Sequence, residues 1–481
     1  MAAGAQQADL VVVSNRLPVD RVVEKDGSHT WHRSPGGLVT ALEPVMATSH
    51  GAWVGWAGST GEHLEPFELE GGLAGGSFMI FPVELDASEV TEYYEGFANA
   101  TIWPLYHDLI AVPEYHRQWW DCFERVNRRF AQAVAGVAAV GATVWVQDYQ
   151  LQLVPNILRE LRPDVKIGFF NHIPFPGADL FAQLPWRAQV LEGLLGSDLI
   201  GFQRVDDCRN FGRAVRRLLG LRVTRDTVTV PGPGGSQRIV HYRDYPISID
   251  AHAFEQLGRD PGVRARAAQI RSELGNPKTL LLGIDRMDYT KGIRHRLKAY
   301  GELLDDGEIS VGDVGLIQVA VPSRERVRTY QKLRDDIEIA VARINGDFST
   351  VGETAIHYLH RSFPRDEMAA LYLAADVMLV TALRDGMNLV AKEFVATNVD
   401  NDGVLILSEF AGASDELKTA LLVNPHDIDG LKDAIRQAMR MPKAERTRRM
   451  RAMRRRVRED NVLAWAHHYL DDLGGAHSES A

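Results

Sequence analysis

An α/β protein built on parallel sheets is predicted by three features of the sequence. Short runs rich in β-branched residues are apolar throughout rather than alternating, as strands covered on both faces are. Longer segments of helical character separate them. Polar and charged residues crowd the end of each run, where open parallel sheets bind ligands. In order, the runs are residues 10–13, 143–146, 165–170, 199–202, 279–284, 315–321, 377–381 and 404–407. Helix-like segments cover 114–140, 179–195, 207–219, 324–342 and 365–375.

In the first half, residues 11–13 lead into Ser14-Asn15-Arg16, 145–146 into Gln147-Asp148, and 169–170 into Asn171-His172. In the second half, 282–284 leads into Asp285-Arg286-Met287-Asp288-Tyr289-Thr290-Lys291-Gly292, and 318–321 into Pro322-Ser323-Arg324. The run at 379–381 leads to Leu383-Arg384-Asp385-Gly386. Two sheets that each present such an edge imply two Rossmann-like domains facing one another across a cleft.

The length, 481 residues, favours two or three domains with sizeable cores. The chain carries 54 basic and 64 acidic residues, a net charge of −10, which argues against a nucleic-acid partner. Its longest apolar stretch, 131–146, is broken by Gln132, Gly136, Gly141 and Thr143. That is too short for a bilayer span, and it reads as a helix end, a Gly turn and a strand, so no membrane partner is expected. Cys122 and Cys208 cannot build a disulfide framework or a four-cysteine metal site, and residues 1–13 do not form a signal peptide, so a reducing, cytoplasmic location is expected. A domain boundary is expected near 245–250, after a Gly/Pro-rich loop at 231–236 that reads as a hairpin tip. Segment 443–458 holds nine basic residues and one acidic one, with Met450, Met453 and Val457 on one stripe. It reads as an amphipathic helix with a basic, solvated face near acidic surface.

Four segments carry chemistry. In 285–292 a strand end precedes two cations, Arg286 and Lys291; an Arg fork and a Lys point charge can meet the charge that develops on a departing diphosphate. In 383–393, Gly386 permits a tight turn and Asn388 opens a helix whose N–H groups would face a phosphate or a sugar. Asp385 alone reads as an N-cap, but beside the first segment it reads as a ligand for sugar hydroxyls, and Glu393 could accept from ribose hydroxyls. Ser34-Pro35-Gly36-Gly37-Leu38 places a Gly pair before a helix pattern. In Asn171-His172-Ile173-Pro174-Phe175-Pro176, His172 is placed to donate to a substrate oxygen.

Together with Tyr93-Tyr94, Trp103-Pro104, Trp145-Val146-Gln147-Asp148-Tyr149, Gly201-Phe202-Gln203 and Arg343-Ile344-Asn345-Gly346, these motifs resemble the trehalose-6-phosphate synthase family, in order from about residue 10 to about residue 472. The resemblance implies the GT-B architecture and retaining transfer of glucose from a nucleotide diphosphate-glucose, UDP-glucose foremost, to glucose 6-phosphate. It implies no cofactor, and self-association into a homo-oligomer is expected. By matched motif, Arg286 and Lys291 would grip the diphosphate, and Gly386, Met387, Asn388, Leu389, Val390, Ala391, Lys392 and Glu393 the phosphate and ribose. Phe363 would lie by the base and Gly36 and Gly37 would approach the donor, with His172 and Asp385 on the transferred glucose. Arg16, Tyr94 and Arg324 would bind the acceptor phosphate, and Asp148 and Trp103 its sugar ring. Thr290 stands where a Ser is common and Gln147 where a His is common.

The corresponding domains are 1–248 (acceptor side), 249–458 (nucleotide-sugar side) and a segment 459–481 returning to the first, with a frayed tail from 474. The 21–32 insertion is expected at the surface. No divalent metal site is evident: Asp400-Asn401-Asp402 precedes its strand, and Asp427-Ile428-Asp429 reads as a helix cap. Two alternatives keep the same fold, a glucosylglycerol-phosphate synthase and a non-catalytic sugar-phosphate sensor. The base of the donor is left open.

Overall fold

The apolar runs are strands, and those at 10–13, 143–146, 279–284 and 404–407 continue into the polar residues that follow them. The computed structural model describes residues 7–23, 29–33, 39, 42, 46, 50–70 and 77–478. Its contacts divide the chain into two units, one of residues 1–246 with 463–481, the other of residues 247–462.

The first unit contains β1 (Ala8–Arg16), β2 (Val19–Val23), β3 (His29–Arg33), β4 (Gly51–Trp56), β5 (Phe67–Glu70), β6 (Ser77–Pro82), β7 (Ala138–Gln147), β8 (Lys166–Phe170), β9 (Leu199–Phe202), β10 (Arg222–Val223), β11 (Thr227–Pro231) and β12 (Gln237–Asp244). Ten of these form one sheet in the order β10-β11-β12-β9-β8-β7-β1-β4-β6-β5. From β12 to β6 every neighbouring pair is parallel, while β5, β10 and β11 are antiparallel additions at the edges. The strand order reverses between β1 and β7, and this places Arg16 and Gln147-Asp148 at the switch point. The loop after β11 is a hairpin tip, closed by Gly232 N–H donating to the Ser236 carbonyl at 2.7 Å. The described residues of the 21–32 insertion, 21–23 and 29–32, lie on the paired strands β2 and β3, and Trp31 stacks on Phe67 with centroids 4.7 Å apart.

The helix expected over 114–140 runs from Arg117 to Val137, and Gly141, at φ +74°, sits within β7. The expected 179–195 helix is two short ones, Ala178–Phe181 and Arg187–Leu194, because Pro185 between them has no N–H to continue a helix. The helix Val462–Ser478 packs its aromatic side on the sheet. Tyr469 stacks on Trp145 at 4.5 Å, and its hydroxyl lies 3.0 Å from the carbonyls of both Phe169 and Leu199. Gly168 and Gly201 make that approach possible, since a Cβ at either would stand 2.7 Å from Tyr469 atoms. Asp472 accepts from Arg243 at 3.0 Å and from Tyr245 at 2.7 Å. The tail expected to fray from 474 is therefore helical as far as Ser478.

The second unit contains β13 (Thr279–Arg286), β14 (Val314–Val321), β15 (Ile356–Leu359), β16 (Val377–Val380), β17 (Val404–Ser408) and β18 (Leu421–Val423), all parallel, in the order β15-β14-β13-β16-β17-β18. Reversal falls between β13 and β16. The helix expected over 324–342 begins later, at Arg328, and ends at Phe348. Arg324 instead occupies a turn at φ +50°, a left-handed conformation that an L side chain adopts at a cost.

Helix Lys443–Glu459 is the basic amphipathic helix, with Met450, Met453 and Val457 buried. Its cations meet carboxylates: Arg448 and Arg449 pair with Glu445, Arg454 and Arg458 with Glu255, and Arg446 with Asp402. Asp400 pairs with Arg264, and Asp427 caps a helix by accepting from Gly430 N–H at 2.9 Å. Among the described residues no group of three or more His, Cys, Asp or Glu side chains is arranged to hold a metal ion, and no helix is long and apolar enough to cross a membrane.

Candidate active site

The second unit's switch point is built around a buried ion pair. Arg296 is fully enclosed and donates to Asp285 at 2.7 Å, to Gln318 at 3.0 Å and to Thr381 at 3.1 Å. One guanidinium thus joins the end of β13 and the middle of β14 to the residue following β16. Gly283 makes room for it, because a Cβ there would lie 1.7 Å from Arg296 Nη1. Asp285, which in the sequence heads the polar strand-end motif, is an anchor beneath the site.

Two loops emerge above this anchor and are tied together. Leu383 N–H donates to the Thr290 carbonyl at 2.7 Å, and Gly292, at φ +64°, packs where a Cβ would stand 2.0 Å from the Thr381 carbonyl. Lys291 Nζ then meets Asp385 Oδ2 at 2.5 Å, with side-chain exposures of 10% and 14%. Asn388 Nδ2 donates to the same oxygen at 3.1 Å. Asn388 is the N-cap of helix Leu389–Thr397, its Oδ1 accepting from Ala391 N–H at 3.0 Å. The N-cap reading of Asp385 is therefore replaced by Asn388, and Asp385 is held as a carboxylate beside the ammonium. Leu389 and Val390 occupy the first turn, whose N–H groups have no helical carbonyl to bond and suit an anion. Gly386 and Met387 are braced from below: Ala413 N–H donates to Met387 O at 2.8 Å, and Gly412 lies so close that a Cβ would sit 2.0 Å from Gly386 O.

One residue of this helix departs from expectation. The Lys392 side chain is buried, with Nζ 2.5 Å from Glu416 and 2.8 Å from the Ile247 carbonyl, so it braces the helix and does not reach a donor. Glu393 accepts from Tyr372 OH at 2.7 Å, and burial raises its carboxyl above the usual range. Arg286 is exposed at the end of β13. Arg324 is drawn onto Asp288 at 3.1 Å. Phe363 is half-buried, with the Arg361 guanidinium 4.7 Å above its ring.

In the first unit, Arg16 extends from β1 over the Trp56 ring at 4.9 Å and pairs with Asp20 at 2.9 Å. Tyr94, on the π-wound helix Val90–Ile102, tilts against the same Trp56 at 6.0 Å. Trp56 thus brings Arg16 and Tyr94 together, and it was not among the residues expected. Asp148, at φ +74°, accepts from His172 N–H at 3.1 Å. Trp103 is nearly enclosed, its ring 4.1 Å from His107 and 5.6 Å from Tyr149, so an edge at most faces a ligand.

His172 Nε2 lies 2.8 Å from the Gln147 side-chain amide. Burial beside Phe170 lowers the imidazole pKa to about 3, so the ring is neutral at physiological pH. Gly36 and Gly37 lie outside the described residues.

Comparison with known proteins decides the family. The sequence profile of glycosyltransferase family 20 matches residues 8–474. The chain belongs to glycosyltransferase family 20. Its relatives include the trehalose-6-phosphate synthases of Mycobacterium bovis and Mycobacterium tuberculosis, each 54% identical over 476 residues, 98% of this chain and 95% of theirs. Among solved structures, an α,α-trehalose-phosphate synthase (UDP-forming) from Burkholderia xenovorans in complex with glucose-6-phosphate matches at 33% identity and TM-score 0.86, over 97% of this chain and 100% of that one. An E. coli protein bound with UDP-2-fluoro glucose matches at 34% identity and TM-score 0.86, over 96% and 98%. This family 20 glycosyltransferase accordingly has the GT-B fold, with two Rossmann-like parallel-sheet domains.

The family 20 site also uses residues that motif reading missed. Arg296 sits within a helix and has no local signal, although a glycine inside an otherwise bulky strand, Gly283, marked that something large approaches. Tyr330, which touches both Asp288 and Arg324, gives no signal in the sequence.

Proposed function

We propose that this glycosyltransferase is a trehalose-6-phosphate synthase, moving glucose with retention from UDP-glucose to glucose 6-phosphate and releasing UDP and trehalose 6-phosphate. The observation that carries this reading is the Lys291–Asp385 contact at the β13/β16 switch point, beside Arg286 and the N-terminus of helix Leu389–Thr397. Cations and first-turn N–H groups here are arranged for a leaving diphosphate, and the 54%-identical relatives carry the same name.

The bond between the anomeric carbon and the diphosphate oxygen breaks first, its charge met by Arg286, Lys291 and the N–H groups of Leu389 and Val390. The anomeric hydroxyl of glucose 6-phosphate attacks on the face the diphosphate leaves, and the leaving oxygen takes its proton. Asp385 and Asp148 orient hydroxyls, and His172 lies on the transferred glucose. Phe363 offers a face to the base, and Glu393 receives ribose hydroxyls. Gly36 and Gly37 complete the donor contacts. Arg16, Tyr94 and Arg324 bind the acceptor phosphate, and Asp148 and the edge of Trp103 its ring. Arginine and tyrosine hold a dianion by charge-assisted hydrogen bonds, so no metal is needed for binding. The enzyme works in the cytoplasm as a homo-oligomer.

The deciding experiment assays UDP-, ADP- and GDP-glucose against glucose 6-phosphate and glycerol 3-phosphate, with product identification. Trehalose 6-phosphate formed with retention, and undiminished in a chelator, is expected. Diphosphate release without an acceptor-dependent product would overturn the reading.

A further inference from the structure

Asp288 lies inside the segment that carries Arg286 and Lys291, and its carboxylate also reaches Arg324, which follows β14. Oδ1 accepts from Thr290 N–H at 3.0 Å, which fixes the turn that presents Lys291. Oδ2 accepts from Arg324 Nη1 at 3.1 Å and from Tyr330 OH at 3.1 Å. The carboxylate is fully buried and the Arg324 side chain is 5% exposed. Tyr330 also contacts Arg324 through its hydroxyl, and its ring lies 5.3 Å below the guanidinium. The backbone of Arg324, at φ +50°, holds a left-handed conformation that turns its side chain back toward this carboxylate. A buried carboxylate with two oxygens on two different elements, one of them strained to reach it, does more than satisfy a loop.

We propose that Asp288 is a positioning residue for the acceptor's phosphate: it sets the Arg324 guanidinium through Oδ2 while holding the Lys291 turn through Oδ1. The inference rests on the reading that Arg324 binds the phosphate of a sugar phosphate. Without Asp288, Arg324 keeps its charge but loses its direction, and a bidentate grip on a phosphate depends on direction. Asn at 288 can still accept from Thr290 at Oδ1, but its amide would face two donors, so Asp288→Asn severs the Arg324 leg and spares the Lys291 leg.

The test measures kcat and both KM values for wild type, Asp288→Asn, Tyr330→Phe, Arg324→Ala and the Asp288→Asn/Arg324→Ala double variant, with thermal unfolding of each. Asp288→Asn is expected to raise KM for glucose 6-phosphate about ten-fold or more, the scale of a hydrogen bond to a charged group, with KM for UDP-glucose changed less than about three-fold. In the Arg324→Ala background the same change should have no further effect on KM for glucose 6-phosphate, because the two residues act as one unit. Tyr330→Phe, which removes one neutral donor, should give a smaller rise of about two- to five-fold and serves if Asp288→Asn does not fold. Equal shifts in both KM values, additive effects in the double variant, or a lower melting temperature with unchanged KM values would each overturn the proposal. If Arg324→Ala leaves KM for glucose 6-phosphate unchanged, the phosphate reading of Arg324 itself fails and Asp288 falls with it. A rise with Arg324→Ala but none with Asp288→Asn or Tyr330→Phe overturns the positioning role alone.

Discussion

The Lys291 ammonium rests 2.5 Å from the Asp385 carboxylate, joining the loop after β13 to the loop after β16 where strand order reverses. Each side chain depends on the other. The ammonium orients the carboxylate, and the carboxylate holds the ammonium at the mouth of a helix N-terminus that would otherwise repel it. Lys291→Ala should lower kcat by about 10²–10³-fold, the scale of losing one preorganised group at a developing charge. Steady-state kinetics with saturating donor check this, and a kcat within about three-fold of wild type would remove Lys291 from the leaving-group role.

Arg296 is the anchor beneath that contact. Arg296→Leu should cost about 3–5 kcal/mol of unfolding free energy, because it strands Asp285 without its partner. Replacing Asp285 by Leu in the same chain should recover part of the loss. Urea unfolding of the single and double variants measures both, and a single-variant loss below about 1 kcal/mol would show that Asp285 finds other solvation.

Tyr469 gives a corresponding test in the first unit. Its hydroxyl bonds two strand carbonyls, so Tyr469→Phe should destabilise by about 1–3 kcal/mol. Gly168→Ala should be at least as damaging, since its new methyl would stand 2.7 Å from that hydroxyl. Thermal unfolding that ranks the two in the opposite order would mean the helix shifts to accommodate the methyl.

His172 makes stability depend on pH with a definite sign. Its pKa in the folded protein is lowered to about 3 by burial, whereas an unfolded histidine titrates near about 6.5. Below about pH 6.5 the unfolded chain gains a proton that the native one refuses, so stability is lost as pH falls from there toward about 3. Part of the ring remains accessible, which limits the loss to about 1 kcal/mol at pH 5. Denaturant titrations at pH 7 and pH 5 should show a smaller drop for His172→Gln than for wild type, and an equal drop would assign the dependence elsewhere.

Cys122 and Cys208 are both buried and free, and burial pushes the Cys122 thiol up to about 12. Neither forms thiolate readily at neutral pH, so native protein should react with a thiol reagent far more slowly than protein in denaturant. Rapid labelling of the native enzyme would show that these helices open locally.

The fold, and the strand ends where candidate residues gather, could be read from the sequence because parallel strands are apolar on both faces and end where polar residues begin. Arg286, Lys291, Asp385 and Asn388 follow such ends and are brought to one place by strand order. What could not be read has physical causes. The edge strands Phe67–Glu70 and Arg222–Val223 are short and only half covered, so they lack the continuous apolar signature. Whether a cation faces a ligand or the interior depends on tertiary partners, which is why Lys392 and Arg296 carry no local mark of burial. Pro185 marks the helix break in the sequence itself, within an apolar pattern that reads as continuous. The contact of His172 with Gln147 is likewise tertiary, made from a neighbouring strand.

Residues 463–481 belong to the unit that begins the chain, while residues 247–462 form the other as one continuous stretch. During synthesis the later-made unit can therefore reach its native contacts before the earlier-made one is finished. Until the ribosome has delivered Tyr469, the carbonyls of Phe169 and Leu199 and the cleft left by Gly168 and Gly201 wait uncovered. A nascent chain arrested before residue 463 should present this face of the sheet to chaperones, and one arrested after residue 478 with its exit-tunnel segment released should not.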